Sequence, residues 1–200
     1  MRGFEEVRRI ATAFRSFKAP WWFSGGWAID LYLGRVTREH HDVDVTVLRR
    51  DQDGLRAALS GFELKKIVPH PGGVPGQGTI TAWAPSERLE LPIHQANAYA
   101  IGKSELSFQI MLNDTEGTEW WYRRDRRIRR PMATLGFESS EGVPYLAPEI
   151  TILFKAKTMR PCDEADFEAV LPMLTGEARD WLRGALAIAH PNHPWIARVG

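Results

Sequence analysis

Ser24-Gly25-Gly26-Trp27-Ala28-Ile29-Asp30, followed shortly by Arg38-Glu39-His40-His41-Asp42-Val43-Asp44, is the stretch that decides the reading of this chain. Val43, Val45 and Val47 alternate with Asp42, Asp44 and Thr46, which predicts a strand with two distinct faces. Side chains two apart on a strand share a face, so Asp42 and Asp44 should present their carboxylates side by side, about 6–7 Å apart at the backbone. Two like charges held together are costly without a cation. Hard oxygen ligands of this kind suit Mg²⁺, which keeps several waters and takes further ligands from substrate phosphates. Upstream, Ala28, Ile29, Leu31, Tyr32 and Leu33 predict a short helix stopped by Gly34. The glycine pair opens that helix, where a backbone without Cβ can approach a ligand and free amides point at an anion. Ser24 can add a hydroxyl. A Gly-Gly turn alone is usually just a turn, and an Asp-x-Asp alone is usually surface. Spaced as they are here, they describe a phosphate cradle beside a metal site, the geometry of phosphoryl or nucleotidyl transfer.

Outward from this segment, Phe4, Val7, Ile10, Phe14 and Phe17 recur at steps of three and four, predicting an amphipathic helix ended by Ala19-Pro20. Asp51 to Leu59 reads as a helix ended by Gly61. From Phe62 to about Arg123 the pattern is β, with strands expected at Phe62–Leu64, Thr79–Trp83, Leu89–Ile93 and Leu106–Ile110. Pro69 to Gly78 is rich in proline and glycine and reads as a loop. Arg123 to Arg130 holds six arginines, either a solvated, ion-paired surface or a basic rim over a phosphate site. Beyond Pro148 the period turns helical, with helices expected over 149–159, 163–174 and 176–189. The expected organisation is an α/β part over residues 1–146 and a helical region over 147–200 packed on it.

The 200 residues suit one domain with a helical appendage. A formal charge of +1 supplies no global field towards nucleic acid or an anionic membrane. No apolar run approaches the ~20 residues needed to cross a bilayer, and Met1 to Lys18 lacks the apolar core of a signal peptide. With one cysteine, Cys162, no internal disulfide can form. The expectation is a cytoplasmic protein. Eight tryptophans point to core packing or to a stacking platform.

Gly25-Gly26-Trp27-Ala28-Ile29-Asp30, then Leu33-Gly34-Arg35-Val36-Thr37-Arg38, His40 and Asp42-Val43-Asp44 resemble the signature of aminoglycoside adenylyltransferase-type proteins. These are members of the nucleotidyltransferase superfamily, which also holds the lincosamide nucleotidyltransferases. The close match covers roughly residues 20–50. Pro148-Glu149-Ile150 to Lys155, with Lys157, Arg160, Asp163 and Asp166, resembles a looser second pattern. The resemblance implies an α+β nucleotidyltransferase fold, a small mixed sheet flanked by helices and followed by the helical region. It implies Mg²⁺ on Asp42 and Asp44, a triphosphate such as ATP over Ser24, Gly25 and Gly26, and an NMP passed to a small-molecule hydroxyl. Arg38, Lys155 and Lys157 become candidate nucleotide contacts, although Arg38 can equally hold the loop that delivers Asp42, and the lysines can be a solvated face. Asp30 reads as structural.

The chain departs from the resemblance at one point. Active relatives supply a third carboxylate as metal ligand or general base, yet Gln109 occupies the strand where it is expected; Glu90 and Asp114 are the substitutes. Two functions follow: a metal-dependent enzyme moving AMP or another NMP to an aminoglycoside-like or lincosamide-like acceptor, or a catalytically impaired nucleotide-binding module. A nucleic-acid modifier ranks last, given the near-neutral charge.

Overall fold

The structure is a computed structural model that describes residues 3–72, 78–102 and 106–200. Its first helix, α1 (Glu5–Ala13), buries Val7 and Ile10. The expected apolar stripe runs on past the helix, because Phe14 and Phe17 follow beyond its end and stay buried. Next come β1 (Trp21–Ser24), α2 (Gly25–Leu33), β2 (Asp44–Leu48), α3 (Gln52–Ala58), β3 (Phe62–Pro69), β4 (Gly78–Ala82), β5 (Gln95–Ala100) and β6 (Ser107–Asn113). Residues 73–77 of the expected Pro69–Gly78 loop lie outside the described residues. The chain continues through β7 (Thr115–Glu116), β8 (Glu119–Tyr122), β9 (Asp125–Pro131), β10 (Gly136–Glu138) and β11 (Pro144–Leu146). It ends with α4 (Pro148–Lys155), α5 (Pro161–Val170), α6 (Gly176–Ala189) and α7 (Trp195–Val199).

Among the described residues the main sheet runs β10-β11-β1-β2-β6-β5-β3-β4, and β7-β8-β9 form a small second sheet. The main sheet is mixed: β1 with β11 and β2 with β6 are parallel, and the remaining pairs antiparallel. Its register sets one row that matters, because Ser24 pairs with Asp44 and Asp44 with Gln109. Strand alternation then divides the two faces. Val45, Val47, Ile110 and Leu112 bury into a core with α1, Phe23 and Trp27. Leu48 joins a second core with Trp120, Tyr122, Ile150, Leu153, Phe167 and Trp195. The helical region shares this second core with β8 and α2, so its helices are covered by one another and by the rest of the chain.

One expectation is corrected, and one open choice is decided. Leu89–Ile93 is not a strand. Pro92 lacks a ladder donor, and the buried Gln52 and Arg49 side chains take the backbone groups of Leu89 and the carbonyl of Ile93. The strand follows instead at β5. The arginine-rich run is largely β9, and several of its guanidinium groups are ion-paired: Arg127 with Asp125, Arg129 with Glu116 and Arg130 with Glu149.

A buried ionic network fastens the helical region to the loop after α2. Lys155 Nζ lies 3.0 Å from Asp163 and 2.8 Å from Asp166. Arg38 grips Asp166 through two 2.9 Å hydrogen bonds, and Arg160 holds Asp163 at 3.0 Å. Lys155, Asp163 and Asp166 are all buried, and a buried charge persists only when paired. Lys155→Met keeps the side-chain length and strips two buried carboxylates of their shared cation. It should lower unfolding free energy by about 3–5 kcal/mol in urea denaturation.

Candidate active site

The site is built where β1 turns into α2 beside the start of β2. Ser24 ends β1 in an extended conformation, and Gly25 enters the helix at φ +63°, a left-handed backbone that glycine adopts without strain. Space imposes the same choice: a Cβ at Gly25 would collide with Asp44 Oδ2, and a Cβ at Gly26 with Arg38 Nη2 and the His40 ring. The bend is thus pressed against the carboxylate of Asp44 on one side and the Arg38–His40 loop on the other.

That loop is shaped by Asp30. Its carboxylate, fully buried in α2, accepts hydrogen bonds from the Thr37 amide (3.1 Å) and hydroxyl (2.5 Å), and lies 2.5 Å from His40 Nε2. The His40 ring packs on Trp27 with centroids 4.3 Å apart. Asp30 therefore has the structural role, and the loop it folds carries Asp42 to the sheet. Asp42 itself precedes the strand, contrary to the expectation that both aspartates lie on β2: the ladder opens at Asp44. Asp42 is exposed at the rim, and Asp44 is set deeper.

Asp44 is electrostatically unsettled. Its Oδ1 is shielded from solvent without a hydrogen-bond partner among the described residues, and so is Ser24 Oγ in the neighbouring strand position. Burial, then the charge of Asp42, pushes its carboxyl up to about 7, with Lys155 and Arg160 pulling only partly the other way. A buried carboxylate facing a like charge, with an unused oxygen, has the chemistry of a cation ligand. Among the described residues no cluster of three histidine, cysteine or acidic side chains accompanies it. The third neighbour is Gln109, whose Nε2 donates to Asp42 Oδ2 (3.2 Å) while its Oε1 accepts from Gln95 (2.6 Å).

The other candidates disperse. Glu90 is exposed and pairs with Arg88. Asp114 lies past the opposite end of β6, held at 2.6 Å by Arg49. Neither stands in the row of Asp44. Arg38 reaches the diglycine bend but gives two of its nitrogens to Asp166. Lys155 is buried in the network, and Lys157 is exposed beyond α4. Two features of the site received no role from the sequence. Arg160, raised chiefly by its hydrogen bonds to Asp163 and also by Asp42, brings positive charge to the acid pair. A cavity of about 190 Å³ opens beside Asp42, lined among others by Glu6, His41, Asn97, Tyr99, Ser107 and Gln109. Asn97 Oδ1 is buried there without a partner among the described residues. No motif marks these residues, since α1, β5 and β6 converge only in three dimensions.

Two outcomes follow from this geometry. Gly25→Ala must displace Asp44 and strain the backbone, costing roughly 1–3 kcal/mol in thermal or urea unfolding. Asp44→Asn should do the reverse in metal-free buffer. A carboxyl whose folded pKa is raised penalises folding as pH rises from its ordinary 3.8 to about 7, and fully above that. The variant should gain on the order of 2 kcal/mol at pH 8, shrinking to nothing near pH 4, when stability is followed against pH.

Known proteins place this architecture. Residues 6–68 match the family model described as aminoglycoside-2''-adenylyltransferase. The 2''-aminoglycoside nucleotidyltransferase of Escherichia coli is 50% identical over 40 residues, which is 20% of this chain and 23% of that protein. The lincosamide resistance protein of Staphylococcus haemolyticus is 37% identical over 41 residues, 20% of this chain and 26% of that protein. The aligned segment thus spans about a quarter of these curated relatives. Likeness of fold extends much further. The crystal structure of ANT(2'')-Ia in complex with adenylyl-2''-tobramycin superposes with a TM-score of 0.58 at 18% identity, covering 91% of this chain and 95% of that one. Lincomycin-bound LnuA, a lincosamide antibiotic adenylyltransferase, gives 0.54 at 16% identity, covering 83% and 94%. The chain has the nucleotidyltransferase fold of ANT(2'')-Ia and LnuA, and its residues 6–68 carry the aminoglycoside-2''-adenylyltransferase pattern.

Proposed function

We propose that this protein transfers a nucleoside monophosphate, AMP from ATP, to a hydroxyl of an aminoglycoside-like or lincosamide-like small molecule, with Mg²⁺ held by Asp42 and Asp44. The observation that carries this reading is the Asp44 carboxylate, whose Oδ1 is shielded and unpartnered among the described residues while its Oδ2 lies against a wall that only glycine can form. Similarity of residues 6–68 to an adenylyltransferase family supports it. Ser24 Oγ and the amides of Gly25 and Gly26 would hold phosphate oxygens at the start of α2. Mg²⁺, when bound, would neutralise the triphosphate and the departing pyrophosphate. Arg38 contributes by fixing the loop beside Gly26, and Lys155 by holding Asp166 for Arg38. The cavity beside Asp42 would admit one ring of the acceptor, with Asn97 Oδ1 and Glu6 as acceptors for its hydroxyl or amino groups. No described helix is long and apolar enough to cross a membrane.

Pyrophosphate release from ATP and Mg²⁺ across an aminoglycoside and lincosamide panel tests the proposal. Asp42→Asn should cut any turnover about a hundredfold or more while leaving the melting temperature close to wild type, because Asp42 is an exposed ligand and no part of the core. Silence with every nucleotide and acceptor would overturn the enzyme reading. Gln109 favours a second reading, a nucleotide-binding module without turnover, since an amide cannot accept the acceptor's proton. Calorimetric binding of Mg-ATP by a protein that releases no pyrophosphate would establish it, and Gln109→Glu should then bring turnover up from zero.

A further inference from the structure

Tyr99 stands on the wall of the cavity beside Asp42 with half of its hydrogen-bonding capacity unused. Asn97 and Tyr99 lie two apart on β5, so both side chains leave the same face of the sheet. Their ladder partners on β6 are Gln109 and Ser107. Gln109 Nε2 in turn donates to Asp42 Oδ2 at 3.2 Å. These residues line one space of about 190 Å³ together with Asp42. Register, a hydrogen bond and a shared cavity thus tie Tyr99 to the acid pair.

The tyrosine is fixed at both ends. Asn97 Nδ2 lies 3.1 Å from its hydroxyl, and Lys65 Nζ, on β3, lies 5.2 Å from the centre of its ring. Lys65 is itself paired with Glu63 at 3.3 Å. Whichever way the Asn97 amide is turned, it takes one function of the hydroxyl, as acceptor or as donor, and leaves the other. Tyr99 is half-buried, and its hydroxyl has no second partner among the described residues. Gln109 is different, since its amide is engaged by Asp42 and Gln95 at its two ends. Beside Tyr99, Ser107 adds an exposed side chain with a hydroxyl. A fixed aromatic ring with one free polar function is a preorganised contact, which saves the ordering entropy that binding otherwise costs.

The chemistry of that free function selects its ligand. A hydroxyl both donates and accepts, so it satisfies Tyr99 in either state; an ammonium only donates and a carboxylate only accepts. We propose that Tyr99 selects the acceptor by holding a hydroxyl of its sugar ring other than the one that reacts. This rests on the cavity being the acceptor's. Gln109 stands between Asp44 and Asn97 in one row of the sheet. The ring therefore lies across Gln109, with the reacting hydroxyl at the acid pair and another at Tyr99. The acceptor class is a glycoside whose ring carries more than one free hydroxyl.

Calorimetric titration with lincomycin and with tobramycin, both of which carry rings with several free hydroxyls, tests the contact. The protein is kept free of nucleotide and of divalent cations, so that no step of transfer is needed. Wild type should bind at least one of the two. Tyr99→Phe keeps the ring and its packing, and should bind it roughly threefold to tenfold less tightly, the effect of one lost neutral hydrogen bond. Its melting temperature should stay at the wild-type value. Tyr99→Ala, which also removes the ring, should weaken binding further. Failure of both compounds to bind wild type, or equal affinity in wild type and Tyr99→Phe, overturns the proposal. Binding that depends on Tyr99 in a protein that releases no pyrophosphate would uphold it and overturn only nucleotidyl transfer.

Discussion

The Asp44 carboxylate, shielded from water and pressed against a backbone with no side chain, is the constraint from which the rest of the architecture follows. A charge in that position is disfavoured by burial and by Asp42, which is why its carboxyl is pushed up to about 7. The fold tolerates it by removing steric bulk, since a Cβ at Gly25 would occupy the carboxylate's own space. It also brings the distant positive charges of Lys155 and Arg160 to bear. Unsatisfied groups of this kind cost stability and persist at functional sites. Under the proposed function, that cost leaves a ligand ready for a cation.

Holding such a carboxylate in place requires the two halves of the chain to be coupled. Asp30 ties Thr37 and His40, so the segment between α2 and β2 cannot drift. Arg38, in the same segment, is anchored to Asp166 of α5, which Lys155 of α4 also holds. The helical region therefore reaches the diglycine bend through charges, while its apolar residues share a core with Trp22, Ile29 and Trp120. Separating the region would expose that core and break the Arg38–Asp166 and Arg130–Glu149 ion pairs. Its contribution to the site is positional and electrostatic.

Much of this was legible in the sequence because the information is local. The Gly25-Gly26 bend before an apolar helix and the valine alternation around Asp44 each depend on a few adjacent residues, and both stand where expected. The expectation failed where distant side chains decide. Leu89–Ile93 has an apolar, strand-like composition, but buried Gln52 and Arg49 claim its backbone groups, and no local pattern reveals that. The solvated reading of Lys155 failed for the same reason, since its partners Asp163 and Asp166 lie on the next helix. Even Asp42 shows the limit: alternation placed it on the strand, whereas the clamped loop delivers it just before the ladder begins. The 190 Å³ cavity was beyond sequence reasoning, because β5 and β6 meet α1 only after the sheet is assembled.

Gln109 is the position at which stability and chemistry diverge. A third carboxylate in the row of Ser24 and Asp44 would add a negative charge to two already in conflict, and such a trio is tolerable only with a cation in place. An amide reverses the sign of the interaction, since Gln109 donates to Asp42 and is itself fixed by Gln95. The acid pair can then exist in a folded protein before any ligand arrives, with Asp44 partly protonated near neutral pH. The same substitution removes the strongest proton acceptor from the expected place. An acceptor hydroxyl approaching from the Asp42 side would meet Asp42 itself, His41 and Glu6 at the cavity wall. Under the proposed function this would be a two-carboxylate centre, in which positioning and charge neutralisation carry more of the barrier than proton abstraction does.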